Sequence, residues 1–241
     1  MEYLDWTLPK PADNLACDEI LLEECEESGR EVLRVWEPAE WSVVVGYSNP
    51  AFREVRLDVC RRLDIPVLRR HSGGGTVLVG PGCLNYALIL AAGGDRLLGS
   101  IRATNAFVMD RLRKVFSLVT GEPVTVEGHT DLAIRGRKFS GNAQYRRRHA
   151  ILFHGTVLVG LDIGLIEQTL AVPSSAPAYR GERSHGEFLT NLDVPREAVK
   201  RALCDEWRAA SPFGRERRAA LPGRIASGPQ ALPGRVPGNG S

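Results

Sequence analysis

Two short runs, roughly sixty residues apart, carry residue types that can do chemistry together. Arg69-Arg70-His71-Ser72-Gly73-Gly74-Gly75-Thr76 sets two arginines just before three consecutive glycines. Such glycines let backbone N–H groups approach a phosphate with no Cβ in the way, and guanidinium groups pair with the anion. The second run opens at Asp131-Leu132, continues through Gly136-Arg137-Lys138-Phe139-Ser140-Gly141-Asn142-Ala143-Gln144 and is followed by His154-Gly155-Thr156. It holds one lysine among small residues, a compact charge able to meet a carboxylate and a phosphate at once. Together the runs read as a site for an acyl adenylate, in which a carboxylate is joined to an α-phosphate.

Several elements must position these residues. Asp13-Asn14 is placed to cap a helix whose apolar positions Cys17, Ile20, Leu21 and Cys25 follow a 3.6-residue period and which Gly29 ends. Val32 to Trp36 and Trp41 to Val45 read as strands, Leu57 to Leu63 as a short helix, and Pro66 to Arg69 as the strand entering the glycine turn. Thr76 to Val79 and Asn85 to Leu90 are strand-like. The longest helix runs from Ser100 to Thr120, with Ile101, Val108, Leu112, Val115, Phe116 and Val119 as its apolar stripe. Strands follow at Val124 to Glu127, Leu132 to Gln144 with a turn at Arg135-Gly136, and Ala150 to Val159. The last helix opens at Pro195 and buries Val199, Leu203 and Trp207. Strands outnumber helices and come in hairpin-spaced runs, which predicts a mixed, largely antiparallel sheet with packed helices, an α+β fold. Residues 1–212 are expected to form one domain. From Phe213 the chain turns rich in Gly, Pro and Arg without apolar periodicity, so 213–241 is expected to be a disordered tail.

Composition narrows the class. A formal net charge of +2 over 241 residues lacks the basic excess of a general nucleic-acid binder. Between Asp131 and Asp162 there is no carboxylate, while Arg135, Arg137, Lys138, Arg146, Arg147 and Arg148 fall there: either a solvated hairpin or a surface for polyphosphate or an acidic carrier protein. The five cysteines form no Cys-x-x-Cys pair and signal neither a disulfide framework nor zinc. With no leader-like block and no run of about eighteen apolar residues, a cytoplasmic protein without a membrane span is expected.

Four segments also resemble one family: Asn14-Leu15-Ala16 with Asp18-Glu19; Arg69-Arg70 and Ser72 to Gly75 with Asn85-Tyr86; Asp131-Leu132 with Gly136-Arg137-Lys138 and Ser140 to Ala143; and His154-Gly155-Thr156. In order and spacing, over roughly residues 10 to 200, they resemble the lipoate-protein ligases of the biotin/lipoate ligase superfamily. The resemblance implies the biotin/lipoate ligase catalytic-domain fold, which is class II synthetase-like. It implies activation of lipoate or octanoate with ATP and Mg2+, then transfer to a lysine of a lipoyl-carrier domain, on 2-oxoacid dehydrogenase E2 subunits or the glycine cleavage H protein.

By that resemblance Lys138 bridges the carboxylate and the α-phosphate, Arg70 pairs with phosphate, and Ser72, Gly73, Gly74, Gly75 and Thr76 cradle the adenylate. Asn85, Ser140, His154, Gly155 and Thr156 line the nucleotide or acyl pocket. Asp131 anchors either magnesium or Lys138, or is a buried structural residue. Val44, Val45 and Gly46 with Val77 and Val79 are candidates for the acyl tunnel. The family's arginine and glutamine after the glycine matching Gly46 are replaced here by Tyr47-Ser48-Asn49, which leaves chain length and dithiolane preference open. A separate accessory protein is expected to complete transfer.

Octanoyltransferases of the same fold compete with this reading. They act from acyl carrier protein without ATP and need a cysteine, about fifteen residues before the lysine in the group most like this chain; Pro123 and its neighbours stand there, and Cys83 is the one candidate near the pocket. An esterase reading of His71 to Gly75 lacks a Gly-x-Ser-x-Gly elbow. A non-catalytic lipoate or carrier-binding module is the third alternative, which retention of Lys138 disfavours.

Overall fold

Val32–Trp36 and Cys83–Ala91 are buried almost throughout, the signature of strands covered on both faces. They form the middle of the molecule. The computed structural model describes residues 1–92, 99–173 and 176–227. In chain order its strands are β1 (Glu2–Asp5), β2 (Val32–Trp36), β3 (Ser42–Val45), β4 (Val67–Arg69), β5 (Val77–Val79), β6 (Cys83–Ala91), β7 (Val124–Glu127), β8 (Asp131–Ile134), β9 (Arg137–Arg146), β10 (Ala150–Leu158) and β11 (Ser211–Pro212). The helices are α1 (Pro11–Ser28), α2 (Ala51–Glu54), α3 (Leu57–Arg62), α4 (Ile101–Thr120), α5 (Ile163–Thr169), α6 (His185–Phe188), α7 (Arg196–Trp207) and α8 (Arg215–Ser227).

Eight strands form one sheet in the order β11-β1-β2-β6-β10-β9-β8-β7, antiparallel except where β1 pairs in parallel with β2 and β11. Leu33 and Val35 of β2 and Leu84, Tyr86, Leu88 and Leu90 of β6 pack against α4 and α7. The alternate residues Val32, Ala87 and Ile89 pack against α1 and α8. A second, three-stranded sheet, β4-β3-β5, sits over a core shared with α3, α5 and α6. The mixed, largely antiparallel sheet with packed helices is therefore present. No helix among the described residues is long and apolar enough to cross a membrane.

Three local expectations change. Helix α1 starts at Pro11, because proline suits a first helical turn. Asn14 lies inside that turn, where its amide accepts from the Leu8 N–H and donates to the Leu8 carbonyl. Ile101 heads α4 but is 61% exposed, outside the apolar stripe. The segment from Phe213 is not a disordered tail as far as Ser227: α8 docks on α1 through buried Phe213, Leu221 and Ile225. Arg217 reaches Glu24 and Glu2, and Arg224 pairs with Glu24. Pro222 and Gly223, which weaken helix propensity, are outweighed by that apolar face. The remainder of the expected tail, 228–241, lies outside the described residues.

Candidate active site

The β8–β9 hairpin carries the lysine. Its turn residues Arg135 and Gly136 both have positive φ, 51° and 71°, and the register shifts at Leu132/Ala133, so Phe139 has no partner across the ladder. Phe139 enters the core edge-on to Phe116 at 5.2 Å. This irregularity re-aims the neighbouring side chains. Lys138 Nζ lies 2.7 Å from Asp131 Oδ1, and the side chains are only 24% and 15% exposed, so Lys138 is not an open, solvated hairpin residue. A Cβ on Gly141 would stand 2.9 Å from Nζ, so the missing side chain gives the lysine its path.

Asp131 has a second partner. Tyr179 O–H donates to its Oδ2 at 2.8 Å, so donors occupy both carboxylate oxygens. Of the roles left open for Asp131, this geometry favours anchoring the lysine. No group of three His, Cys, Asp or Glu among the described residues could hold a metal ion.

Arg70 holds the glycine loop from behind, and Arg69 holds the neighbouring 46–49 turn. Arg69 Nη1 donates to the carbonyls of Gly46, Tyr47 and Asn49 at 2.8, 2.8 and 3.0 Å. Arg70 donates to Ser72 Oγ, Val44 O, Gly73 O and Gly75 O at 2.9, 3.3, 2.7 and 2.7 Å. Arg70 thereby shapes the loop, and Arg69 the 46–49 turn bonded to it. Asn49 takes the Gly74 carbonyl at 2.9 Å, and Gly74 itself needs a left-handed φ of 87°. With the three carbonyls drawn back, no N–H of Gly73, Gly74 or Gly75 donates to another described residue. That leaves a row of backbone donors of the kind that cradles a phosphate.

Ser72 lies behind the loop rather than in the cleft. Its Oγ accepts from Arg70 and sits 2.6 Å from His154 Nε2. Burial, with the nearby Arg70 charge, pushes His154 down to about 3, so its ring is neutral where it shares a hydrogen bond with the serine hydroxyl. His71 pairs with Glu19 on the same hidden side.

In front of the loop opens a cleft of about 730 Å3, within the usual range for ligand sites. Arg70, Gly74, Gly75, Thr76, Asn85, Asp131, Lys138, Ser140, His154, Gly155 and Thr156 all line it, whereas Ser72 and Gly73 do not. Val44, Val77 and Val79 supply an apolar wall beside Trp36 and Leu15; Val45 points to the opposite core, and Gly46 does not line the cleft. Asn85 accepts from Thr156 Oγ1 at 2.6 Å across the β6–β10 register, while its buried Nδ2 has no partner. Gly155 is required by its neighbour, since a Cβ there would fall 1.8 Å from Asn142 Oδ1. Asn142 in turn receives Tyr86 O–H and donates to Thr130 O.

Cys83 is buried away from the cleft, and burial pushes its thiol up to about 12. None of the five cysteines lines the cleft. The basic run is largely engaged at home, Arg135 with Glu122, Arg137 with the Gly186 and Leu189 carbonyls, Arg147 with Glu23. Sequence reasoning missed Tyr179, Arg180 and Glu54. Glu54 is buried in the cleft wall, where it accepts from Asn49 and Thr76. No local motif marks these three.

The family model for the lipoyl protein ligase A/B catalytic domain matches residues 10–207. This chain belongs to that family. A relative from Aeropyrum pernix, provisionally named a lipoate-protein ligase A, is 32% identical over 200 residues, 83% of this chain and 72% of its own. An octanoyltransferase of Carboxydothermus hydrogenoformans is 27% identical over 188 residues, 71% of this chain and 70% of its own. The family match therefore spans proteins named for both activities. Among solved structures, a lipoate-protein ligase A bound with ATP shares the fold at a TM-score of 0.79 and 21% identity, covering 95% of this chain and 97% of that one. The bipartite ligase of Thermoplasma acidophilum, described with its E2 lipoyl domain, does so at 0.76 and 22%, covering 93% and 91%.

Proposed function

We propose that this chain is an ATP-dependent lipoate–protein ligase. One observation carries the reading: the cleft presents a lysine held ready by a carboxylate, opposite a loop with free backbone donors, and no cysteine. In the first half-reaction a carboxylate oxygen of lipoate or octanoate attacks the α-phosphorus of ATP, and the bond to the pyrophosphate oxygen breaks. Lys138 leaves Asp131 for the incoming anions and offsets the charge growing on phosphorus; such a positioned group is worth about 10²–10³ in rate. In the second, the ε-amine of a carrier lysine attacks the acyl carbon, AMP departs with the bonding pair, and the nitrogen loses a proton to water. The apolar wall of Val44, Val77 and Val79 takes the acyl chain.

The described residues do not form a protein cage for magnesium, and both oxygens of Asp131 are taken. An ion arriving with the nucleotide would take its ligands from the phosphates and water. The acceptor is a lipoyl-carrier domain, of an E2 subunit or a glycine cleavage H protein, with a separate accessory protein assisting transfer.

The test is pyrophosphate release with lipoate and ATP. Lys138→Ala is expected to lose at least about 100-fold with its fold intact. Activity within threefold of wild type would remove Lys138 from the chemistry.

A further inference from the structure

Buried positive charges among the described residues have visible partners, with one exception. Arg34, fully buried, holds Asp18 at 2.6 Å. Lys200 has three carboxylates, Asp5, Glu37 and Glu197, within 3.1 Å. Arg70 is surrounded by four oxygens. Arg180, only 3% exposed, has no carboxylate within ion-pairing distance among the described residues, and its Nη2 has no hydrogen-bond partner. Its polar side-chain contact is Nε to the Arg183 carbonyl at 3.0 Å, and its guanidinium carbon lies 4.9 Å from the centre of the Phe188 ring. Burying a charge without a counter-charge is costly, so such a residue is expected to have a partner outside the chain.

Arg180 lines the 730 Å3 cleft. It closes the 3-10 turn Ala178–Arg180, which also brings Tyr179 onto Asp131. The turn is fastened on both sides. Gly128 lets Pro177 and Tyr179 approach the β7–β8 turn, where a Cβ would meet Pro177 at 3.3 Å; Arg183 donates to the Tyr179 and Gly136 carbonyls. His185, another lining residue, is held below its usual value by burial and by the charges of Arg180 and Lys138. The turn therefore adds the charges of Arg180 and its neighbour Arg183 to that of Lys138, and Asp131 pairs only with Lys138. A carboxylate from an acid would supply one negative charge. A triphosphate supplies several, on oxygens that suit a planar guanidinium fork.

We propose that Arg180 is a substrate-binding residue of the cleft that pairs with phosphoryl oxygens of the nucleoside triphosphate. The inference rests on the ligase reading for the identity of the nucleotide, and its test has a readout that does not.

Inorganic tripolyphosphate is titrated calorimetrically into wild type, Arg180→Gln and Arg180→Lys. Wild type is expected to bind, Arg180→Gln about tenfold or more weaker, and Arg180→Lys in between, since a hydrogen bond to a charged group is lost and only the charge is restored. In steady-state pyrophosphate release, Arg180→Gln should raise KM for ATP by a similar factor and leave KM for lipoate within twofold. Unchanged tripolyphosphate affinity in a folded Arg180→Gln, or a rise in KM for lipoate alone, would overturn the proposal. If Arg180→Gln does not fold, Arg180→Lys decides: unchanged affinity overturns, weaker binding supports. Wild type that releases no pyrophosphate yet binds tripolyphosphate through Arg180 would sink the ligase reading and leave this inference standing.

Discussion

Gly46→Ala isolates the placement of the glycine loop from its composition. Gly46 follows β3 directly and is not at positive φ, so alanine meets no backbone penalty of its own. The added Cβ would nevertheless sit 2.1 Å from the Gly74 carbonyl oxygen, whereas ordinary contact begins near 3.4 Å. The difference, 3.4 − 2.1, requires about 1.3 Å of movement, and the atom in the way is backbone. Whichever side yields, the Gly74 carbonyl leaves Asn49 and the row of loop amides turns away from the cleft. Misplacing a reacting group by about 1 Å typically costs about 10²-fold. Gly73→Ala is the matched control, because its Cβ meets nothing within 4 Å and its φ is not positive. Steady-state pyrophosphate release with lipoate and ATP should show Gly46→Ala down about 100-fold in kcat/KM and Gly73→Ala within threefold, with thermal scans showing both folded. Equal activity of the two folded variants would refute the idea that loop position, set by Gly46, governs the chemistry.

Ending the chain after Pro212 removes the apolar anchors Phe213, Leu221 and Ile225 together with the ion pairs of Arg217 and Arg224; the net loss of about 3 kcal/mol should lower Tm by about 6–12 °C in a thermal scan, and a shift under 2 °C would contradict the packing described. His154 titrates near 3 when folded against 6.5 in an unfolded chain, so below pH 6.5 the unfolded state takes up a proton that the folded state refuses, and stability falls with pH by at most about 1.4 kcal/mol per unit. Wild type should therefore lose more Tm than His154→Gln between pH 7 and 5; parallel curves would contradict the neutral, buried ring. Tyr179→Phe keeps the ring against Phe188 but strips a donor from Asp131, which then holds Lys138 more tightly; kcat for pyrophosphate release should drop about tenfold with little change in Tm, and an unchanged kcat would reduce Tyr179 to packing.

What was legible in the sequence was what local chemistry decides. Gly29 ends α1 at φ 70°, and Arg135-Gly136 turns the lysine hairpin where the spacing placed it. The cleft residues carried by the two motifs came together because both motifs sit on strands or turns with short-range rules. Elements that exist only through distant pairing were not legible. Strands β1 and β11 are short, parallel and given their shape by their neighbours, and α8 is a weak helix alone that folds against α1. The same holds for side chains. Arg69 and Arg70 are of the type that binds anions, but the carbonyls they hold belong to β3 and the loop, more than twenty residues away for Val44 and Gly46. Tyr179 and Arg180 reach the site across forty-odd residues of chain, with no spacing rule to announce them.

The source of the activated acyl group is the most direct test of the proposed function. Purified protein is incubated with apo lipoyl-carrier domain under two conditions, free lipoate with ATP and magnesium, or octanoyl-acyl carrier protein without ATP, and the carrier is weighed by mass spectrometry. The reading predicts a mass gain of one lipoyl group in the first condition only, lost in Lys138→Ala and kept in Cys83→Ala, since the Cys83 thiol is buried outside the cleft. A gain of one octanoyl group without ATP, lost in Cys83→Ala, would contradict it and make this member of the family a transferase.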